Sequence, residues 1–353
     1  MSKICLSMIV KNEENCISKC LNSVKPYIDH WIICDTGSTD NTTQVIQELM
    51  SDVPGEILHH EWKDFSTNRN LGIAESKNKA DYTLIIDADD HLIVEDENAF
   101  NNLDKDYYKL KIKHGNLEYY RPQLLKNSID FKYKGVLHEY IDVQSNSYSN
   151  LEGCYIQTSF SGGRSKNPNK FQDDAKVFEE ALKLDPNNSR YVFYLAQSYR
   201  DYGNLTKAIE NYDKRALMGG WIEETFISLF ESAKCKEKLM FPMFDIETSY
   251  LKAYYCNPLR AEPLYSLSKY FRLNNNLNKA YCYAKEGLKI NKPKEGLFIQ
   301  NDCYEWRLYD ELAISSFYMG HKDEGKLSCE KILDLPNIPP QDKLRIVKNY
   351  SFY

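Results

Sequence analysis

The stretch Tyr82-Thr83-Leu84-Ile85-Ile86-Asp87-Ala88-Asp89-Asp90-His91 constrains this chain more than any other. Five residues with strand preference run straight into three carboxylates, so a buried strand is expected to end there and release an acidic cluster. Open α/β sheets bind ligands at that carboxyl edge. On an extended chain the side chains alternate, which puts Asp87 and Asp89 on one side. Two carboxylates so placed suit a hard divalent cation that keeps substrate phosphates as further ligands. A solvated acidic turn would use the same residues, so the flanking stretches have to decide between the two.

Those stretches repeat a strand-then-helix rhythm. Ile4 to Val10 reads as a buried strand, followed by Asn12 as a cap and by helical spacing at Ile17, Leu21 and Val24, closed by Pro26. His30 to Cys34 reads as a second strand ending in Asp35-Thr36-Gly37-Ser38-Thr39-Asp40-Asn41-Thr42, where Gly37 permits a tight turn before a helix through Val45, Ile46 and Leu49. Glu56 to His60 is a shorter strand, and a helix is expected from about Thr67 to Lys77. Strands and helices alternating at this spacing imply a mostly parallel sheet with crossover helices. From Tyr107 the rhythm changes, because Lys109–Lys113, Glu118–Leu125 and Val136–Val143 read as strands with no helix between them. A mixed or antiparallel extension should follow.

The breaker-rich segment from Ser161 to Asn169 marks a domain boundary, and almost everything beyond it has helical spacing. Leu195, Tyr199, Leu205 and Ala208 recur as Leu267, Phe271, Leu277 and Ala280, and Leu312, Gly320 and Gly325 suggest a third copy. Large residues on one helix facing a small residue on the next are the pattern of stacked helical hairpins.

A net charge of -6 with lysines and acids intermixed leaves no basic face for nucleic acid. The ten cysteines show no metal-ligand spacing and read as free thiols. No apolar run is long enough to span a membrane, and the opening residues turn charged too quickly for a signal peptide, so a soluble, cytoplasmic protein is expected.

Five motifs remain to be placed: SMIVKNEE (7–14), ICDTGSTDNT (33–42), the run from Trp62 through Asn68-Arg69-Asn70, DYTLIIDADDHL (81–92) and GVLHEYI (135–141). In this order and spacing they resemble the family 2 glycosyltransferases of the GT-A fold, in the subgroup fused to tetratricopeptide-like repeats, and residues 161–215 resemble the linker and first repeats of that subgroup. The resemblance implies an α/β architecture: a GT-A domain, Rossmann-like with a mostly parallel sheet, over residues 1–162, followed by an all-α helical-hairpin repeat domain over 163–353. It implies an inverting transferase of the hexosyltransferase type. The sugar would move from a nucleotide-diphosphate sugar, with a UDP-sugar favoured, to an acceptor hydroxyl on a protein, glycan or lipid. Such chemistry needs a Lewis acid for the departing diphosphate and a base for the acceptor hydroxyl. By the resemblance Asp89 would bind Mn²⁺ or Mg²⁺, Asp87 would contact the ribose or the metal shell, and Asp35 would sit by the nucleotide base. Arg69 would lie near the diphosphate, where a guanidinium can pair with phosphate oxygens through two bonds. Glu139 would be the base, and His138 a metal or phosphate contact. Thr36 departs from the pattern, standing where many relatives carry a second carboxylate, and no histidine lies around Gln157 to Ser161 to complete the metal site.

Another class of function uses the same residues. The repeats would recruit a protein partner along their concave surface, beside a glycosyltransferase-like domain that has lost activity. Intact acidic residues, Arg69 and the His-Glu pair favour the enzyme. A nucleotidyltransferase would need a glycine-rich phosphate loop after its first strand, and SMIVKNEE has no glycine.

Overall fold

Apolar runs buried on both faces build the centre of the first sheet. In the computed structural model, which describes residues 2–114, 117–159 and 167–353, these runs are β1 (Ile4–Val10), β2 (His30–Asp35) and β4 (Tyr82–Ile85), with the more exposed β3 (Gly55–His59) at the sheet edge. They pair in parallel in the order β3-β2-β1-β4. The crossovers are α1 (Ile17–Val24), α2 (Thr42–Leu49) and α3 (Phe65–Ser76). Helix α1 begins later than its spacing suggests, because Asn12 takes a left-handed conformation (φ 59°) and residues 13–16 form a turn. Its buried stripe of Ile17, Cys20, Leu21 and Val24 joins Leu6, Met8, Ile33 and Leu84 in the main core. Helix α3 lies close against the sheet, and Gly72 makes that approach possible. A Cβ there would stand 3.0 Å from Ser7 Oγ and 3.1 Å from Cys34 Sγ.

The remaining strands are β5 (His91–Val94), β6 (Tyr107–His114), β7 (Leu117–Lys126), β8 (Phe131–Lys134), β9 (Tyr140–Val143) and β10 (Tyr148–Gln157). The sheet continues from β4 through β7, β6, β10 and β5. Strand β7 is antiparallel to both β4 and β6, β10 is parallel to β6, and β5 is antiparallel to β10. This is the mixed extension that the loss of helical spacing implies. Strands β8 and β9 form a separate antiparallel pair.

One expectation is corrected here. Val136–Val143 is not a single strand, since only Tyr140–Val143 pairs. Gly135 (φ 111°) and His138 (φ 50°) take left-handed conformations that a ladder cannot accommodate. The His-Glu pair therefore lies on a loop between β8 and β9.

The chain divides into two compact units, Met1–Ala181 and Leu182–Tyr353. The expected boundary at 162/163 falls outside the described residues, and α4 (Lys170–Leu184) runs through the division of the units. The second unit holds α5 (Ser189–Asp201), α6 (Leu205–Leu217), α7 (Ile222–Lys238), α8 (Met243–Cys256), α9 (Glu262–Leu273), α10 (Leu277–Gly287), α11 (Leu308–Tyr318), α12 (Lys322–Leu333) and α13 (Pro340–Tyr350). Consecutive helices pair as hairpins, and α13 packs on α12. The recurring residues face inward as their spacing demands: Leu195, Tyr199 and Ala208 are buried, and so are Leu267, Phe271 and Ala280. The turns within the hairpins use left-handed residues, namely Gly203, Asn275 and Gly320, with Met240 in the remaining one. No described helix is long and apolar enough to cross a membrane.

Candidate active site

Two motif loops are laced together at the carboxyl edge of β1 and β2. Asn12 Oδ1 accepts from the Thr39 N–H at 2.7 Å, and Ser38 Oγ accepts from the Asn12 N–H at 3.0 Å. The Glu13 N–H donates to Thr42 Oγ1 at 2.8 Å, and Asn41 donates through its N–H to Glu14 Oε2 at 3.0 Å. Asp40 accepts from the Thr42 N–H at 3.0 Å and the Glu14 N–H at 3.3 Å. The polar residues of both motifs thus fix each other's backbone. Asp35 is buried at the end of β2, where Oδ1 accepts from the Ser38 N–H at 3.0 Å and Oδ2 lies 3.4 Å from His59 Nδ1. Thr36 donates its hydroxyl to the Val10 carbonyl at 3.1 Å.

The Asn68-Arg69-Asn70 run on α3 does three separate jobs. Asn68 is fully buried and holds the approach to the helix, accepting from the Lys63 N–H at 3.0 Å and donating to the Glu61 carbonyl at 3.1 Å. Asn70 behaves like a strand partner for β8, donating to the Tyr133 carbonyl at 2.9 Å and accepting from its N–H at 2.8 Å. Between them, Arg69 donates through Nη2 to Asp87 Oδ1 at 2.6 Å and through Nε to Glu139 Oε1 at 2.8 Å. Its guanidinium also stands 5.2 Å from the Tyr133 ring centroid, a cation–π distance. Three residues that are far apart in sequence thus form one carboxylate–guanidinium–carboxylate chain.

The acidic cluster itself is a turn. Strand β4 ends at Ile85, and the Asp90 N–H donates to the Asp87 carbonyl at 3.0 Å. The expectation that Asp87 and Asp89 share a side of an extended chain is therefore corrected, since the alternation stops before them. The turn is braced from two directions: Cys20 Sγ donates to the Asp87 carbonyl at 3.4 Å, and Ser159 Oγ to the Asp89 carbonyl at 2.6 Å.

With this geometry established, the comparisons with known proteins can be set beside it. The model for Glycosyl transferase family 2 matches residues 5–147, and a tetratricopeptide repeat model matches 177–210. Residues 5–147 are a family 2 glycosyl transferase domain. The chain joins this domain to tetratricopeptide repeats. It is 32% identical over 155 residues to a TPR repeat-containing protein of Synechococcus elongatus, a stretch covering 40% of this chain and 36% of that protein. It is 27% identical over 236 residues to the SPbeta prophage-derived glycosyltransferase SunS of Bacillus subtilis, covering 60% of this chain and 54% of SunS. An uncharacterized glycosyltransferase of Rickettsia felis is 34% identical over 92 residues, 26% of this chain and 30% of that one. The chain thus spans between 30% and 54% of the length of these relatives.

Within the glycosyl transferase domain the electrostatics are uneven. Burial works against charge on Arg69, but Asp87, Tyr133 and Glu139 hold its pKa well above the ordinary value. Burial also opposes ionisation of Asp87, and Arg69 and Arg121 outweigh it, so its pKa is lowered. Asp90 goes the other way. Burial, with Asp87 and Asp89 beside it, lifts its pKa to about 7, against the pull of Arg121.

The expected site residues divide as follows. Arg69, Asp87 and Glu139 are in direct contact, and Asp89 belongs to the same turn as Asp87. Asp35 stands two strands away, across β1, at the same sheet edge. His138 adjoins Glu139 in sequence, but its exposed ring stacks parallel to Phe178 with centroids 6.2 Å apart. Arg121 and Tyr133 belong to the cluster and escaped the motif reading, whereas Asp90 stood in the acidic motif without a role of its own. Arg121 lies in a stretch that reads only as strand and Tyr133 in one that shows no period at all, so nothing in sequence spacing brings either to the cluster.

Proposed function

We propose that the chain is an inverting, metal-dependent glycosyltransferase of the hexosyltransferase type, moving a sugar from a nucleotide-diphosphate sugar, a UDP-sugar by preference, to an acceptor hydroxyl. The observation that carries this reading is the Asp87–Arg69–Glu139 chain beside Asp89 at the carboxyl edge of β4. That edge is where open α/β sheets bind nucleotides.

Each residue has work suited to its surroundings. Asp35, buried at the end of β2 on the same sheet edge, is the residue for the nucleotide base, and Asp87 for the ribose or metal shell. Glu139 is anchored to Arg69 through Oε1, and no hydrogen bond among the described residues occupies Oε2. An anchored carboxylate with one open oxygen suits a base that must meet an acceptor hydroxyl at about 2.6–3.2 Å. His138 is a further phosphate or metal contact in this reading, reached by turning from Phe178.

The acidic turn fits a divalent cation by its charge. Burial first, and then the neighbouring carboxylates of Asp87 and Asp89, raise the pKa of Asp90, and a cation at the turn would offset that repulsion. Among the described residues no three His, Cys, Asp or Glu side chains converge as a ready-made cage. A site of one or two carboxylates completed by water and phosphate oxygens is the usual arrangement for Mg²⁺. Asp89 would hold Mn²⁺ or Mg²⁺, with Asp87 in support. The ion would supply charge neutralisation on the departing diphosphate.

The acceptor is a protein, glycan or lipid, and the repeats offer a surface for a protein partner. Ten free cysteines accord with action in the reducing cytoplasm. Calorimetric titration with UDP tests the donor reading. Asp89→Asn is expected to weaken UDP binding in the presence of MnCl₂ by about tenfold or more and to leave metal-free binding almost unchanged. Equal affinity of both proteins in MnCl₂ would overturn the metal assignment.

A further inference from the structure

Arg69 is the guanidinium that the motifs offer to the diphosphate, yet in the folded chain two carboxylates neutralise it and it is 8% exposed. The cluster holds a second guanidinium. Strand β7 pairs with β4 through Tyr82↔Lys126, Thr83↔Leu125 and Leu84↔Leu124. Strand β7 runs on past Leu124, beyond the end of β4, and carries Arg121 three residues further on the side of the acidic turn. Arg121 lies within electrostatic reach of that turn, since it lowers the pKa of Asp87 and pulls against the rise at Asp90.

Arg121 is half-buried, and among the described residues its guanidinium makes no hydrogen bond and no ion pair. A guanidinium drawn out of bulk water without a bonded partner has lost hydration that nothing in the protein replaces. A second unmet donor lies in the same cluster. The Tyr133 hydroxyl is buried with no hydrogen-bond partner, on a ring that packs against Arg69 and feels the charges of Arg121, Asp87 and Glu139. Natural structures rarely leave buried polar groups unpaired, and the exceptions gather at functional sites. Both unmet groups are donors, so the missing partner is an anion with several acceptor oxygens. A guanidinium fork pairs through two bonds with phosphate as with carboxylate oxygens, and phosphate is the anion a nucleotide-sugar donor brings.

We propose that Arg121, seconded by the Tyr133 hydroxyl, forms the subsite for the diphosphate oxygens of the donor, while Arg69 serves to position Asp87 and Glu139. This rests on the nucleotide-sugar reading above and assigns the donor's charged group to a residue outside the motifs. The cluster is arranged for that ligand. The carboxylates of Asp87 and Glu139 already neutralise Arg69, and among the described residues of the cluster Arg121 is the cation left to attract an anion.

The test is calorimetric titration of the full chain, in buffer containing MnCl₂, with UDP, uridine and inorganic pyrophosphate. Arg121→Met keeps the length of the side chain and removes the charge, and is expected to weaken UDP and pyrophosphate binding at least tenfold while leaving uridine unchanged. Tyr133→Phe keeps the ring under Arg69, and is expected to weaken the same two ligands severalfold without lowering the melting temperature. Arg121→Lys should recover part of the loss. Undiminished UDP and pyrophosphate affinity in a folded Arg121→Met protein overturns the proposal and leaves the nucleotide-sugar reading standing. Pyrophosphate binding that depends on Arg121, with no binding of UDP, GDP or dTDP, supports the anion subsite and overturns the nucleotide-sugar reading instead. A loss of uridine binding equal to the loss of UDP binding marks a structural role and also overturns the proposal.

Discussion

At the residue scale the telling contrast is between Glu139 as a chemical group and Glu139 as a salt-bridge partner. Its carboxylate is bonded to a buried arginine, and breaking such a pair leaves an uncompensated charge costing about 3–5 kcal/mol. Glu139→Gln keeps an oxygen that can accept from Arg69 Nε but removes the basic carboxylate. It is expected to bind UDP as the parent does and to lose about 10²-fold or more of the transfer rate. Glu139→Ala is expected to lower stability by about 3 kcal/mol as well, because Arg69 loses its partner. Denaturant unfolding and transfer assays on the two variants separate these effects. If Glu139→Gln retained most of the rate, the base would have to be sought elsewhere. The identity of this residue was legible in the HEYI stretch, and its pairing with Arg69 was not. A 70-residue separation carries no periodic signal, and the contact exists only because α3 and the loop after β8 meet.

Elements show the same division. The strands β1 to β4 and their crossovers follow from apolar runs and turn residues, and the observed bounds lie close to those the spacing implies. The loops at their carboxyl ends were legible as turns but not as a joined pair. Asp40 displays what joins them: burial works against its charge, but the bonds from Thr42 and Glu14 outweigh it and hold its pKa below 3.8. A carboxylate with a lowered pKa stabilises the fold above the pKa it has when unfolded, and that contribution fades as the pH falls through its folded value. Asp40→Ala is expected to cost about 1 kcal/mol at pH 7, as loss of a helix cap does, with the difference from the parent shrinking below about pH 4. Urea unfolding at pH 7 and pH 3.5 measures it, and a difference independent of pH would show that the carboxylate's charge plays no part. Strand β8 shows the opposite case, since it passed unseen. Phe131 and Tyr133 alternate inward with Lys132 and Lys134 outward, but four residues are too few to stand out as a period.

On the scale of the whole molecule, two compact units share one chain, and each buries its own apolar residues. Residues 167–353 are expected to fold without the transferase domain, giving a helical circular dichroism spectrum and a cooperative melt, because repeats draw their stability from neighbouring repeats. A fragment that remained unfolded at low temperature would show that the hairpins depend on the first unit. The sequence by itself determined the class of each unit. Period-two and continuous apolar runs can bury themselves only as strands, and the recurrence of large and small residues 72 positions apart specifies stacked hairpins. It also named most of the charged groups at the β4 edge, because carboxylates at a strand end and an arginine between two asparagines are local patterns. Only the tertiary structure decided which charges neutralise one another. Two carboxylates occupy Arg69, Arg121 stands within electrostatic reach of Asp87 with no bonded partner for its guanidinium among the described residues, and Tyr133 is shut in beside Arg69. Coulomb energy depends on distance through space, and the sheet order that places β7 beside β4 is set by long-range packing that no short window of residues records.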